Sequence, residues 1–228
     1  MGNDQLYSYD IKTKKSQKLT DNLYGVNYII PTTKKIFLVA AKVGEHNMSP
    51  SYYDIASKKL IDVEWDKDYF ISVAKKDPST EKIFVSGHSN KEDYDMMDKF
   101  NNEEIKGPYG IDNSIYQIDE ESHKLIYKIE NRYIDSFAIN GENLICSTSL
   151  RGEEINEDGQ TIIYNIKTKK MNICDDIIPG DLFYINDDGE NVYSNTGNEI
   201  IKTELSSMKQ ESLLKLKNES AWINNAQF

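Results

Sequence analysis

The sequence predicts an all-β fold made of repeated four-stranded antiparallel units, and three observations carry that prediction. One short phrase recurs along the chain, each later copy follows a further pair of strand-like runs, and turn-forming residues join the members of each pair. The phrase reads LYSYDIKTKK from Leu6 to Lys15, SYYDIASKKL from Ser51 to Leu60, IYQIDEESHK from Ile115 to Lys124 and IIYNIKTKK from Ile162 to Lys170. A weaker copy, IIKTELSSMK, runs from Ile200 to Lys209. Aligning Asp10, Asp54, Gln117, Asn165 and Glu204 gives steps of 44, 63, 48 and 39 residues.

Each phrase is an alternating apolar and polar strand, a turn rich in Thr, Ser and Lys, and a second strand such as Leu60–Trp65 or Leu125–Glu130. Alternation with period two is what a strand with one face on a core requires. The upstream pairs run Tyr69–Ala74 with Lys82–Ser86, Tyr133–Ile139 with Asn143–Thr148, and Leu182–Ile185 with Asn191–Ser194. Their joints are Asp77-Pro78, Asn140-Gly141 and Asp188-Gly189, residues that preset φ or tolerate positive φ in tight turns. Four strands, lettered A to D from the inside out, at about 45 residues per unit describe the blades of a β-propeller.

The whole chain, 1–228, is therefore expected to be one propeller domain of about five four-stranded blades. Its units are approximately 1–22 with 221–228, 23–68, 69–132, 133–177 and 178–220. Residues 5–21 supply only strands C and D of a blade, while 221–228 read as a strand A. Two closures stay open: a three-stranded closing blade, or a chain that is a fragment of a larger propeller. The strands ending in Tyr-x-Asp or Tyr-x-Ile, followed by a Thr/Ser-x-Lys turn, resemble propellers of the TolB-like and WD-repeat-like superfamily at large. The resemblance covers nearly the whole chain and implies architecture alone; the Gly-His and Trp-Asp dipeptides of true WD repeats do not recur.

Composition excludes several function classes. Hydrophobic residues make up 38% and aromatics 11%, too much for a disordered chain. The 38 acidic residues against 27 basic ones leave a formal charge of −11, the wrong sign for tracking nucleic-acid phosphates. No apolar run approaches the roughly 18–20 residues that span a bilayer, so a soluble, acidic protein is expected. The start, Met1 to Asp4, lacks a basic segment followed by an apolar run, which leaves the cytoplasm open, and equally an exterior location for a chain whose leader has been removed. Cys146 and Cys174 form no CxxC pair and read as small buried hydrophobes.

Function is expected on the face that carries the B-to-C loops, because these are the long joints: Val43–Pro50, His88–Asn113 and Leu150–Gln160. In the largest, Ser89-Asn90-Lys91-Glu92 matches a capping box, and Tyr94, Met97 and Phe100 recur at helical spacing, with Met96 and Phe100 four apart. A helix of about three turns follows from that pattern. It is either a decoration or a lid or partner-binding insert, with Tyr94, Met97, Phe100 and Tyr109 as its contact residues. Tyr24, Tyr69, Tyr133 and Trp222 each lie where a strand A begins. Two roles fit them: a ring that stacks a sugar or other flat ligand beside the hydrogen-bonding groups of Asp135, Arg151 and Asn225, or wedges between neighbouring blades.

A glycoside hydrolase or lyase would need a pair of carboxylates, and Asp66, Asp68, Asp135 and Asp181 fall near the expected channel mouth. Against this, there is no Gly-x-Ser-x-Gly elbow, phosphate loop or His-Glu-x-x-His. His46 and His88 are placed in B-to-C loops and His123 in a C-to-D turn, too dispersed for a metal; Asp187-Asp188-Gly189 and Glu157-Asp158-Gly159 read as turns. The expectation is a non-catalytic module without cofactor or metal, binding a protein partner or a carbohydrate-like ligand, with no nucleic acid and no membrane span; the oligomeric state is left open.

Overall fold

The computed structural model describes residues 4–45, 47–152 and 155–217. Blade 1 is built from β3 (Leu23–Pro31), β4 (Lys35–Lys42), β5 (Ser49–Asp54) and β6 (Lys59–Asp62), preceded by a hairpin of β1 (Tyr7–Asp10) and β2 (Lys15–Lys18). Blade 2 holds β7 (Tyr69–Lys76), β8 (Ile83–Ser89), the helix α1 (Asn90–Asn101), β9 (Asn113–Ile118) and β10 (His123–Ile129). Blade 3 is β11 (Tyr133–Asn140), β12 (Asn143–Arg151), β13 (Ile155–Asn165) and β14 (Met171–Cys174), and blade 4 is β15 (Asp181–Ile185), β16 (Asn191–Asn195), β17 (Glu199–Glu204) and β18 (Lys209–Lys215). Each blade is a four-stranded antiparallel meander in chain order, and the hairpin forms a two-stranded sheet of its own. Among the described residues no third strand pairs with that hairpin, and no helix is long and apolar enough to cross a membrane.

The sheets stack face to face in chain order. Leu6 of the hairpin packs with Leu23, Leu38 and Tyr53 of blade 1. Phe37 and Val39 of blade 1 meet Ile71, Val85 and Ile118 of blade 2, and Val73, Phe84 and Ile115 of blade 2 meet Phe137, Leu144 and Ile162 of blade 3. Ala138 and Ile145 then pack on Leu182 and Val192 of blade 4. Sheets packed on both faces have inner strands without a polar side, which is why β4, β8 and β12 are buried almost end to end. Phe137, fully buried between blades 2 and 3, is worth about 3–5 kcal/mol against truncation to Ala.

The repeated phrase has a local reason. In the turn after strand C, Asp10 Oδ1 accepts from Lys12 and Thr13 N–H, Asp54 Oδ1 from Ser57 N–H and Oγ, and Asn165 Oδ1 from Thr168 N–H and Oγ1. The next residue then takes positive φ: Lys14 (55°), Lys58 (57°) and Lys169 (60°), and Met208 (54°) in blade 4. Strand D leaves each turn immediately afterwards.

Two joints differ from expectation. Leu150–Gln160 is not a long loop, because β12 and β13 extend through most of it, and Gly159 lies within β13 rather than in a turn. His88 lies in β8 and is buried, not in the loop that follows. The segment between β8 and β9 does carry the expected helix of about three turns, C-capped at Asn102.

Candidate functional site

The insert and the adjoining ends of blades 2 and 3 converge on Tyr133, the first residue of β11. Arg151, at the end of β12, lays its guanidinium 4.5 Å from the Tyr133 ring centroid and donates to Asp135 Oδ1 (3.0 Å) and Ser149 Oγ (2.8 Å). The Tyr133 hydroxyl donates to Asp93 Oδ1 in the first turn of α1 at 2.5 Å. His88 presents its ring edge-on to Tyr133 at 5.8 Å, with Nε2 3.9 Å from Asp93 Oδ2. Beyond the helix, the chain returns through Tyr109, whose backbone pairs with that of Arg151 in both directions (2.7 and 2.8 Å), and Phe100 of α1 rests on the Tyr109 ring at 5.3 Å.

Local sequence explains the placement. Ser89 caps α1, accepting from Glu92 N–H at 3.1 Å, and its hydroxyl donates to Asp68, which also accepts from Lys91 N–H. The other half of the expected capping box is absent: Glu92 Oε1 accepts instead from Asp112 N–H at 3.5 Å, fastening the helix start to the insert's return strand. Gly110 is required where the return passes over the joint of blades 2 and 3, since a Cβ there would meet the Asn131 carbonyl at 2.0 Å.

Burial sets the electrostatics. It holds the Tyr133 hydroxyl well above the ordinary phenol range, reinforced by its bond to Asp93, and it also raises Tyr109, with the Asp93 charge adding to it. Burial pulls His88 below the ordinary imidazole range, outweighing the opposite pull of Asp93, with Arg151 assisting. Four atoms around this cluster are buried with no partner at good hydrogen-bond geometry, His88 Nδ1, both amide atoms of Asn113, and Asp135 Oδ2, although the Asn113 amide lies close enough to the His88 ring to favour its protonated form. Each such atom costs about 1–3 kcal/mol, so four near one ring are unusual for a purely structural cluster.

The structure brings Tyr133, Asp135, Arg151, Phe100 and Tyr109 into this cluster. Tyr133 is itself buried under Arg151 and is not an open stacking platform. Tyr69 instead joins Trp65, Tyr116 and His123 in an edge-to-face group at the junction of blades 1 and 2, the wedge role. Tyr24 stands exposed on β3, as do Tyr94 and Met97 on α1, a helix that buries none of its residues. Trp222, Asn225 and His46 lie outside the described residues. His88, Asp93 and Asn113 were not among the expected binding residues; the signal was Gly87-His88 set directly against the Ser89 cap.

Every candidate carboxylate is committed to a bond. Asp66 Oδ1 accepts from Asp68 N–H within its turn, Asp68 holds the start of α1, and Asp135 holds Arg151. Asp181 takes Lys75 Nζ at 2.8 and 2.9 Å and Ser136 Oγ at 2.6 Å, an ion pair that ties the innermost strands of blades 2 and 4 across blade 3. Among the described residues no three His, Cys, Asp or Glu side chains gather as a metal site. Cys146 is fully buried, which raises its thiol far from nucleophilic use.

No protein-family model matches the chain, and no curated protein is significantly similar to it. Solved structures are similar in fold at low identity. An oligogalacturonate lyase in complex with manganese superposes with a TM-score of 0.61 at 13% identity over 95% of this chain and 60% of its own. The extracellular domain of a hybrid two-component system from B. thetaiotaomicron gives 0.57 at 11% identity over 97% and 26%, and TolB from Acinetobacter baumannii gives 0.54 at 15% identity over 93% and 49%. The chain thus spans less than two thirds of each of these proteins. At such identities the likeness concerns architecture alone, and with the four stacked antiparallel blades it gives this chain a β-propeller fold.

Proposed function

We propose that the chain is a non-catalytic binding module whose ligand, a carbohydrate-like molecule or a protein partner, docks on the insert-bearing face around Tyr133 and Arg151. The observation that carries this reading is the convergence of β8, α1, β11 and β12 on one ring, with Asp135 Oδ2 and other buried polar atoms left without a partner at good hydrogen-bond geometry. Leftover hydrogen-bonding capacity beside aromatic surface is what a recognition site offers. The engagement of Asp66, Asp68, Asp135 and Asp181 in structural bonds favours binding over carboxylate-pair hydrolysis or elimination.

The test is retention of the purified protein on immobilised glycans and on candidate partner proteins, beside Arg151→Ala and Tyr133→Phe. The expected result is at least a ten-fold weaker interaction in both variants, with melting temperatures within a few degrees of wild type. Retention unchanged in both would move the binding site elsewhere.

A further inference from the structure

We infer that the cluster beneath the insert takes a neutral, hydroxyl-rich ligand, a stretch of uncharged oligosaccharide, and that α1 lifts to admit it. The inference rests on the binding reading above and names the ligand class of that same site. The buried atoms without a well-formed bond define the chemistry: Asp135 Oδ2 can only accept, and the Asn113 amide, whose contact with the His88 ring leaves capacity over, offers both a donor and an acceptor. A hydroxyl donates and accepts through a single atom, so it can meet such a set in less space than an amide, whose donor and acceptor stand apart. Neighbouring hydroxyls on a sugar ring answer such a mixed set.

Charge selects within that class. Among the described residues one guanidinium, Arg151, stands against two carboxylates, Asp135 and Asp93, while burial disfavours a charge on His88, so these four side chains sum to one negative charge. An anionic sugar such as a uronate would find the cation already paired and a second carboxylate close by. A cationic ligand would find the Tyr133 face already covered by Arg151. Neutral ligands meet neither penalty.

Access comes from the way the helix is held. The unpaired atoms have almost no exposed surface, so a ligand reaches them only when the insert moves. α1 buries none of its twelve residues and is fastened by the Asp93–Tyr133 bond, the Glu92–Asp112 bond, the Asp68 brace at its start and the Phe100 ring on Tyr109. Hydroxyls can replace the first of these directly. Phe70, partly exposed beside His88, and half-buried Tyr109 then offer ring faces at the rim for the apolar side of a sugar.

The experiment is titration calorimetry of the intact protein with cellohexaose, maltohexaose, xylohexaose and mannohexaose, and with hexagalacturonate as the anionic competitor. At least one neutral hexasaccharide is expected to bind, and Asn113→Ser to weaken it ten-fold or more while the variant stays folded at the titration temperature, as its melting curve reports. Asp135→Asn, which removes one carboxylate from the cluster, is expected to raise hexagalacturonate affinity. Hexagalacturonate preferred by wild type and lost in Arg151→Ala would overturn the neutral class yet keep the site. A neutral sugar bound equally by wild type, Asn113→Ser and Arg151→Ala would overturn both. No saccharide bound at all would overturn this inference alone, leaving the protein-partner arm of the retention test to judge the site. Hydrogen exchange across 90–106 reports the helix: protection unchanged at saturating sugar would rule out its lifting.

Discussion

Four non-glycine residues in equivalent turns, Lys14, Lys58, Lys169 and Met208, sit at φ between 54° and 60°. A side chain there costs roughly 1–2 kcal/mol, which Gly avoids at an entropic cost of about 0.5–1 kcal/mol in the unfolded chain. Lys58→Gly is therefore expected to stabilise the protein by about 0.5–1 kcal/mol, and Lys58→Val to destabilise it, as read by urea denaturation with an unchanged slope. Asn165→Ala, which removes two hydrogen bonds from the corresponding turn of blade 3, is expected to cost about 1–2 kcal/mol. The Asp or Asn and the Ser or Thr three residues on were visible as a repeated phrase, because each turn needs the same acceptor at the same spacing. That the following Lys carries the turn's left-handed residue was not visible, since Lys has no preference for that region.

At the scale of elements, the turn joining β7 to β8 does more than reverse the chain. Asp77 is buried there, and its carboxylate accepts from Ser79 N–H and Oγ, from Thr80 Oγ1 and, across the blade boundary, from Gly141 N–H in the β11–β12 turn. Burial alone would raise its pKa, but these bonds outweigh it and hold the carboxyl below the ordinary range. Asp77→Ala should cost about 3 kcal/mol because it strands several donors, and Asp77→Asn distinctly less because one acceptor oxygen remains. Sequence exposed this turn through Asp77-Pro78 but not its tie to Gly141, which exists only once blades 2 and 3 are stacked. The insert divides in the same way. Its helix was legible from the Ser89 cap and the spacing of Tyr94, Met97 and Phe100, whereas the site it covers depends on β12 and β13 running on past Leu150, where the chain reads as loop. Arg151 and Tyr109 are partners by bridging across that extension, 42 positions apart, and no local pattern encodes such a pair.

For the whole molecule, a net charge of −11 disfavours the compact state at neutral pH, and acidification toward the pI near 4.8 relieves that repulsion. His88 acts in the opposite sense. Its folded pKa lies below the value of about 6.5 that it regains on unfolding, so between those two values the unfolded chain binds the extra proton. Its contribution to stability is complete above about pH 6.5 and declines as pH falls from there to the depressed folded pKa. Asp77 follows at lower pH: its contribution is present above about pH 3.9 and is lost as pH falls through its own depressed value. The two are separable because His88→Gln removes only the first while leaving the global charge above pH 7 unchanged. Urea denaturation of wild type and His88→Gln at intervals from pH 8 to pH 4 should give a stability difference that is flat above pH 7 and then moves against wild type over the window that opens below about pH 6.5. A difference that stays constant across that window would mean that His88 is as easily protonated in the folded chain as in the unfolded one, and that the cluster around Tyr133 is open to water rather than closed beneath α1.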